Sequence, residues 1–315
     1  MTDRNGALIA SVARMYYLDG MAQREIANVF GMSRSTVSRL LTTARDNGIV
    51  HISVRESDPF DHDLERALVE GFEIDEALVV RGVEGQPENI RRATAYFAAP
   101  VVGRWIRSVG QLGISGGRTI AQLISFMAQE THDGRLDIVP LMGIIGSTPL
   151  GTEASEMTRS LATRVQGAFY TINAPLFMDG PASRDVVASH HHIRSVLDVL
   201  PKLDLALVGI GTLDDSVLAD RKALQPDALE ALIKQGAVGE ICGRFFDDDG
   251  EECDSELRDQ VISIDFDTLR SINRVAAITS GSSRAKAIRA AMRGDLINVL
   301  VTDEQTARAV LNESL

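Results

Sequence analysis

The hydrophobic pattern along the chain changes period near residue 57. Before that point apolar residues recur at helical spacing. Leu8, Ile9, Val12, Met15 and Tyr16 predict a helix over 7–18, ended by Asp19-Gly20. In QREIANVFGMSRSTVSRLL (23–41), Ile26, Ala27, Val29 and Phe30 predict a second helix, and Val37, Leu40 and Leu41 a third. The small Ala27 lets the two cross closely. Gly31 can take the left-handed conformation that stops a helix sharply, and Ser33 offers a hydroxyl as the next N-cap. Met21 and Met32 pack at the junctions, and Asn47-Gly48 closes the third helix. IVHISVRE (49–56) alternates in twos and predicts a short strand or wing with His51 on its surface. Ser57-Asp58-Pro59 breaks the pattern, so the expected division is residues 1–56 and residues 57–315.

Beyond the break, short continuous apolar runs replace the helical stripe. Strands are predicted at 76–82, 111–115, 136–143, 168–175, 204–211, 274–281 and 297–303. Helices are predicted over 87–106 with a kink at Pro100, from Gly117 or Arg118 onward, and at about 153–165, 184–200, 226–235, 284–293 and 304–312. Fully apolar strands separated by helices imply an α/β fold with a largely parallel sheet covered on both faces. Ligands in such sheets bind beyond the carboxyl ends of the strands.

With the apolar positions of 23–41 assigned to packing, Arg34, Ser35, Thr36, Ser38 and Arg39 are left on the outer face of the third helix. Arg24 and Ser33 flank them. No acid occurs from Ser33 to Ala44. Guanidinium forks, hydroxyls and helix-terminal N–H groups suit phosphates and base edges, which points to a helix-turn-helix that binds operator DNA. Charge sharpens this. Residues 1–55 hold seven arginines against four acids, a balance of +3; the chain as a whole is −12, so the rest carries −15. A polyanion is attracted by the head and repelled by the body.

Composition adds the setting. At 315 residues, 44% hydrophobic and 24% charged, the chain has the make-up of a soluble protein of more than one domain. No apolar stretch is long enough to span a bilayer, and the N-terminus does not read as a signal peptide. Cys242 and Cys253 are too few for a disulfide framework and read as isolated thiols rather than a redox pair. A cytoplasmic protein without membrane partners is expected.

Glycines collect at the predicted strand ends: 113–117, 143–146, 209–211 and 281. GISGGRT (113–119) is the sharpest, because Ser115, Gly116 and Gly117 let backbone approach a ligand, the following helix presents N–H groups, and Arg118 and Thr119 add a charge and a hydroxyl. Gly143 and Gly211 mark two further loops on the same edge. A small anionic ligand is expected there.

The chain resembles the SorC-type sugar-binding transcriptional regulators from the GMAQREIANVFGMSRSTVSRLL head through DLALVGIG (204–211), GAVGEICGRFFDDDG (236–250) and AAMRGDLINVLVTDEQTA (291–307). The resemblance implies a winged helix-turn-helix head and an effector domain folded like sugar-phosphate isomerases and deaminases. It also implies a homotetramer, where the small reach of one helix-turn-helix already asks for at least a homodimer, and a phosphorylated sugar or related metabolite that alters operator binding. It places the phosphate loop at Ser115, Gly116, Gly117, Arg118 and Thr119, and a hydroxyl-binding acid at Asp247. The family commonly shows two glycines and then a lysine where this chain has SGSSRAKAI, so Arg284 stands at the lysine position. Arginine can pair a phosphate but cannot be an amine nucleophile. Lys286 falls on another helix face and position 142 is methionine, so effector binding is expected to be reversible and non-covalent.

Other clusters lead elsewhere. His190, His191 and His192 on one helix would point about 100° apart in turn and could not converge on a metal. The acids from Asp247 to Glu252 lack the spacing of a calcium loop and read as a solvated turn with Asp247 facing the effector. No metal or other cofactor is expected. The alternative function, a sugar-phosphate isomerase or deaminase with an appended DNA-binding head, needs a general base and acid that no constellation in the sequence supplies.

Overall fold

The structure is a computed structural model that describes residues 2–53, 58–82, 84–129, 132, 134–146, 151–220 and 223–312, the side chains of residues 2–5 excepted. The chain divides into two compact units, Met1–Asp58 and Pro59–Leu315.

The head is three helices: α1 (Thr2–Tyr17), α2 (Gln23–Phe30) and α3 (Arg34–Asp46). Ile9, Val12 and Ala13 of α1, Ile26 and Ala27 of α2, and Val37, Leu41 and Ala44 of α3 form its buried core. Met21 and Met32 pack against that core at the helix junctions. Gly31 ends α2 at φ 62°, and Met32 N–H donates to Ala27 O at 2.9 Å. At the next start, Ser33 Oγ accepts from Thr36 N–H at 3.1 Å. Two expectations change. Val29 is 58% exposed, since the α1–α3 core is already closed by Ile26 and Ala27. Residues 49–53 form a bend and coil rather than a paired strand, and 54–57 lie outside the described residues.

In the body the elements follow in the order α4 (His62–Phe72), β1 (Glu76–Val80), α5 (Pro87–Arg107), β2 (Gln111–Ile114), α6 (Arg118–Phe126), β3 (Asp137–Pro140), α7 (Ala154–Val165), β4 (Ala168–Phe169), α8 (Pro181–Ser189), α9 (His191–Leu197), β5 (Leu205–Val208), α10 (Val217–Asp220), α11 (Pro226–Lys234), β6 (Gly239–Ile241), β7 (Arg244–Phe246), α12 (Glu256–Gln260), α13 (Phe266–Ser271), β8 (Arg274–Ile278), α14 (Ala285–Arg293), β9 (Val299–Asp303) and α15 (Glu304–Asn312). Seven strands form one parallel sheet in the order β1-β9-β8-β5-β2-β3-β4, and β6 and β7 pair as a separate antiparallel hairpin.

Side-chain alternation along the strands makes two cores. Leu112, Ile114, Ile138, Leu205, Leu207, Ile278 and Val301 meet α5, α6 and α7 on one face. Val139, Ala206, Val208, Val275, Ala277 and Leu300 meet α4, α9, α13, α14 and α15 on the other. Both faces are dry, which is why the strands read as unbroken apolar runs.

Three predicted elements are revised. The run at 168–175 pairs only at Ala168–Phe169, and the predicted helix over 184–200 breaks at His190 into α8 and α9. Helix α5 continues through Pro100 as one element. The elements not anticipated are α4, the short helices α10, α12 and α13, and the β6–β7 hairpin. Helix α4 did carry a signal in Asp61, whose carboxylate accepts from Leu64 N–H at 3.2 Å as an N-cap. The hairpin turns through Cys242 and Gly243, both at positive φ (55° and 79°), and a cysteine there gives no turn signal.

Candidate functional site

On the head, Arg24, Ser33, Arg34, Ser35, Ser38 and Arg39 are exposed and Thr36 is half-buried. The first turn of α3 is organised by Ser33, whose Oγ lies 2.8 Å from both Ser35 Oγ and Thr36 Oγ1. Arg24, Arg34 and Arg39 have no ion-pair partner among the described residues. The outer face of α3 is therefore an open cationic surface with hydroxyls between the charges.

In the body, the loops after β2, β3, β5 and β8 enclose a cleft at the carboxyl edge of the sheet. Its walls include Gly116, Gly117 and Arg118 after β2, Met142 and Ile145 after β3, Gly209–Gly211 after β5, and Arg284 ahead of α14. Ser115 pins two of these loops together, because its Oγ accepts from Gly209 N–H at 3.0 Å and donates to Gly116 O at 2.9 Å. Gly211 is required by the close approach of the hairpin. Its N–H donates to Glu240 O at 3.0 Å, and a Cβ there would lie 2.4 Å from Glu240 Oε1.

The cleft is charged. Asp215 places one carboxylate oxygen on Arg118 and the other 2.5 Å from Arg284 Nη2. Arg118 also reaches Asp220 at 3.4 Å. Arg284 is buried, donating from Nη1 to Ser280 O at 2.6 Å and from Nη2 to Asp215 O at 3.1 Å. Burial alone would push the Asp215 carboxyl up, but the bond from Arg118 and the charges of Arg284, Arg118 and Arg91 hold it below its ordinary value. Burial lowers the Arg284 guanidinium, with Asp215 opposing. Glu240 sits on the floor, where burial pushes its carboxyl up to about 7 despite a 3.1 Å bond from Gly243 N–H. Cys242 also lines the cleft, and burial pushes its thiol well up, so it is no nucleophile near neutral pH.

Of the sequence-derived ligand residues, the cleft gathers Gly116, Gly117, Arg118, Gly211 and Arg284. Ser115 acts behind the wall, and Thr119 follows Arg118 in α6 without lining the cleft. Gly143 is a packing glycine, since a Cβ there would lie 2.7 Å from Ala174 O. Asp247 departs from expectation. Its Oδ1 accepts from Asp249 and Glu251 N–H, both at 3.0 Å, so it braces its own turn outside the cleft. Lys286 pairs with Asp248 at 2.9 Å and does not line the cleft. The three histidines are exposed, with His190 at the break between α8 and α9, and no group of three or more metal-binding side chains occurs among the described residues. Both cysteines are free and buried. Sequence reasoning missed Arg91, Asp215 and Glu240. Asp215 follows the strand-end glycines closely and could have been suspected; the other two carry no local signal.

Residues 59–312 match the family described as "Putative sugar-binding domain", and residues 10–47 match sigma-70 region 4. The chain is 30% identical to the deoxyribonucleoside regulator of Bacillus subtilis, over 97% of each chain. It is 28% identical to the transcriptional regulator LsrR of an Enterobacter species, over 96% of this chain and 92% of that one. The full-length sorbitol operon regulator SorC of Klebsiella pneumoniae has the same fold at a TM-score of 0.77 and 27% identity, over 99% of each chain. All three bear the names of regulators rather than enzymes, and no described helix is long and apolar enough to cross a membrane. The likeness runs the length of both units, and the chain belongs to the SorC-type sugar-binding transcriptional regulators.

Proposed function

We propose that the protein is a cytoplasmic regulator of carbohydrate metabolism whose operator affinity is set by a phosphorylated sugar or polyol held non-covalently in the body's cleft. The head would read DNA with α3 in the major groove, Arg34 and Arg39 on bases or phosphates, and Arg24, Ser33, Ser35, Thr36 and Ser38 on the backbone. One helix reads few base pairs, so two half-sites and a homodimer or homotetramer are needed for specificity.

The observation that carries the ligand assignment is the convergence of Arg118 and Arg284 on one carboxylate at the glycine-lined carboxyl edge of β2 and β5. Two guanidinium forks on one small anion make a site for a phosphate group. The first turn of α6 adds N–H groups without intrahelical acceptors, and Gly116 and Gly117 keep that approach clear. No lysine is among the described residues that line the cleft, which supports non-covalent binding over an imine with a sugar carbonyl. Coupling follows if ligand and DNA favour different states of the assembly.

The test is operator affinity measured with and without members of a phosphosugar and polyol panel that first gives a thermal shift. A panel that shifts the body's melting but leaves operator affinity unchanged, for every member, refutes the regulatory coupling. Loss of ligand binding in Arg284→Ala with unchanged operator binding supports it.

A further inference from the structure

The cleft has a volume of only about 50 Å³, whereas small-molecule sites usually offer about 300 Å³ or more. What fills it is the chain's own Asp215. Each carboxylate oxygen takes one guanidinium, Arg118 on one side and Arg284 on the other, in the bridging mode expected of a bound anion. A third cation contributes from α5. Arg91 acts on the charge of Asp215, and its buried Nε has no hydrogen-bond partner among the described residues. Among the described residues, Asp215 and Asp220 pair with these arginines, Glu88 acts on Arg91, and the Glu240 carboxyl on the floor feels the charge of Arg284.

The Asp215 side chain is also placed to leave. It is 39% exposed, against 11% for its partner Arg284. Its backbone belongs to a short turn held by Asp215 N–H on Thr212 Oγ1 at 3.0 Å and Thr212 N–H on Asp215 O at 3.2 Å. Ser216 and Leu218 beyond it are buried and fix the following segment. Swinging the carboxylate into water therefore involves the side chain and the 212–215 turn and leaves the sheet in place.

We infer that Asp215 is a built-in competitor that occupies the anion seat of the empty protein and must be displaced by the effector's anionic group. This rests on the reading of the cleft as a phosphate seat and adds what closes it. The reason for such a device is that partly buried guanidiniums without a counter-charge are costly, so a seat for an anion needs an internal anion when empty. The device also selects. A neutral polyol cannot neutralise Arg118 and Arg284, so it leaves Asp215 in place. A phosphate monoester carries nearly two charges and three acceptor oxygens, enough for Arg118, Arg284 and Arg91 together. Its entry moves the 212–215 turn, which turns occupancy into a change of shape beside the sheet edge.

The experiment is titration calorimetry of the full-length protein with inorganic phosphate at fixed ionic strength. The samples are wild type, Asp215→Asn, Asp215→Ser and Asp214→Asn, the last an exposed neighbouring acid that controls for net charge. The expected result is phosphate affinity raised about tenfold in whichever Asp215 variant is folded, with Asp214→Asn unchanged. If a folded Asp215 variant binds phosphate no more tightly than wild type, while wild type binds it in an Arg284-dependent way, Asp215 is a support and the inference fails alone. If neither wild type nor the variants bind phosphate, the seat is not for anions, and both the inference and the phosphate reading fall.

Discussion

The two arginine clusters of this protein face anions under opposite conditions. On the head, Arg24, Arg34 and Arg39 lie in water without ion-pair partners among the described residues. In the cleft, Arg284 is buried and Arg118 partly so, and both are held on Asp215. The difference follows from solvation. An exposed guanidinium is screened by water and mobile ions, and its pairing with a phosphate releases counterions condensed on the DNA, so it needs no internal partner. A withdrawn guanidinium has lost that screening and must be answered by a fixed charge. The open cluster suits a long polyanion approached through solvent. The closed one suits a single small anion that has to compete.

The largest expected effect separates the two units. Val37 is fully buried in the three-helix core, so Val37→Asp should destabilise the head by on the order of 4 kcal/mol and abolish operator binding. Ligand-induced stabilisation of the body should survive. Paired band-shift and thermal-melt measurements check this, and loss of both activities would show that the units do not fold independently.

A smaller effect tests the electrostatics of the cleft. The Glu240 carboxyl is pushed up to about 7 from an ordinary 4.5 by burial, so the folded protein holds a proton between those values that the unfolded chain releases. Stability from this group is present below about pH 4.5 and is lost as pH rises to about 7, a decline on the order of 2–3 kcal/mol. Glu240→Gln should remove that decline. Urea unfolding at pH 5.5 and pH 8 should therefore show the variant gaining most at pH 8; an equal difference at both pH values would place Glu240 in water.

Next come the head arginines. Arg34→Ala and Arg39→Ala should each weaken operator binding by about 1–3 kcal/mol where a base is contacted. Where the contact is a phosphate, the salt slope should fall by about one instead. Neither should alter ligand binding. Footprints and affinities equal to wild type at matched salt would remove α3 from the groove.

The smallest effect sharpens the contrast within the cleft. Arg118 is 30% exposed and Asp215 keeps Arg284 without it, so Arg118→Ala should cost less than about 1 kcal/mol of stability. Its phosphate affinity should still fall clearly, because one fork of the seat is gone. Denaturant melts beside calorimetry would show it, and equal loss in both would mean the residue is merely structural.

Much of this molecule was legible before any tertiary contact was known. Local patterns determined the helix-turn-helix, since Ala27, Gly31, Ser33 and Val37 act within a single hairpin of chain. Runs of apolar residues determined the parallel α/β body, because a sheet buried on both faces leaves no alternation to misread. Strand-end glycines located the sheet edge where the cleft opens, and Arg118 and Arg284 were singled out from their motifs. Tertiary structure alone decided what those arginines face. Asp215 is 97 positions from Arg118 and 69 from Arg284, and chemistry between residues so far apart leaves no spacing to read. The same holds for Glu240, carried to the cleft floor by a hairpin whose cysteine turn gives no signal. Asp247 shows the converse, an acid assigned by motif whose Oδ1 is engaged by its own turn outside the cleft. Sequence determines which groups are available, while packing decides which of them meet and which are already satisfied, because burial and pairing depend on neighbours that are remote along the chain.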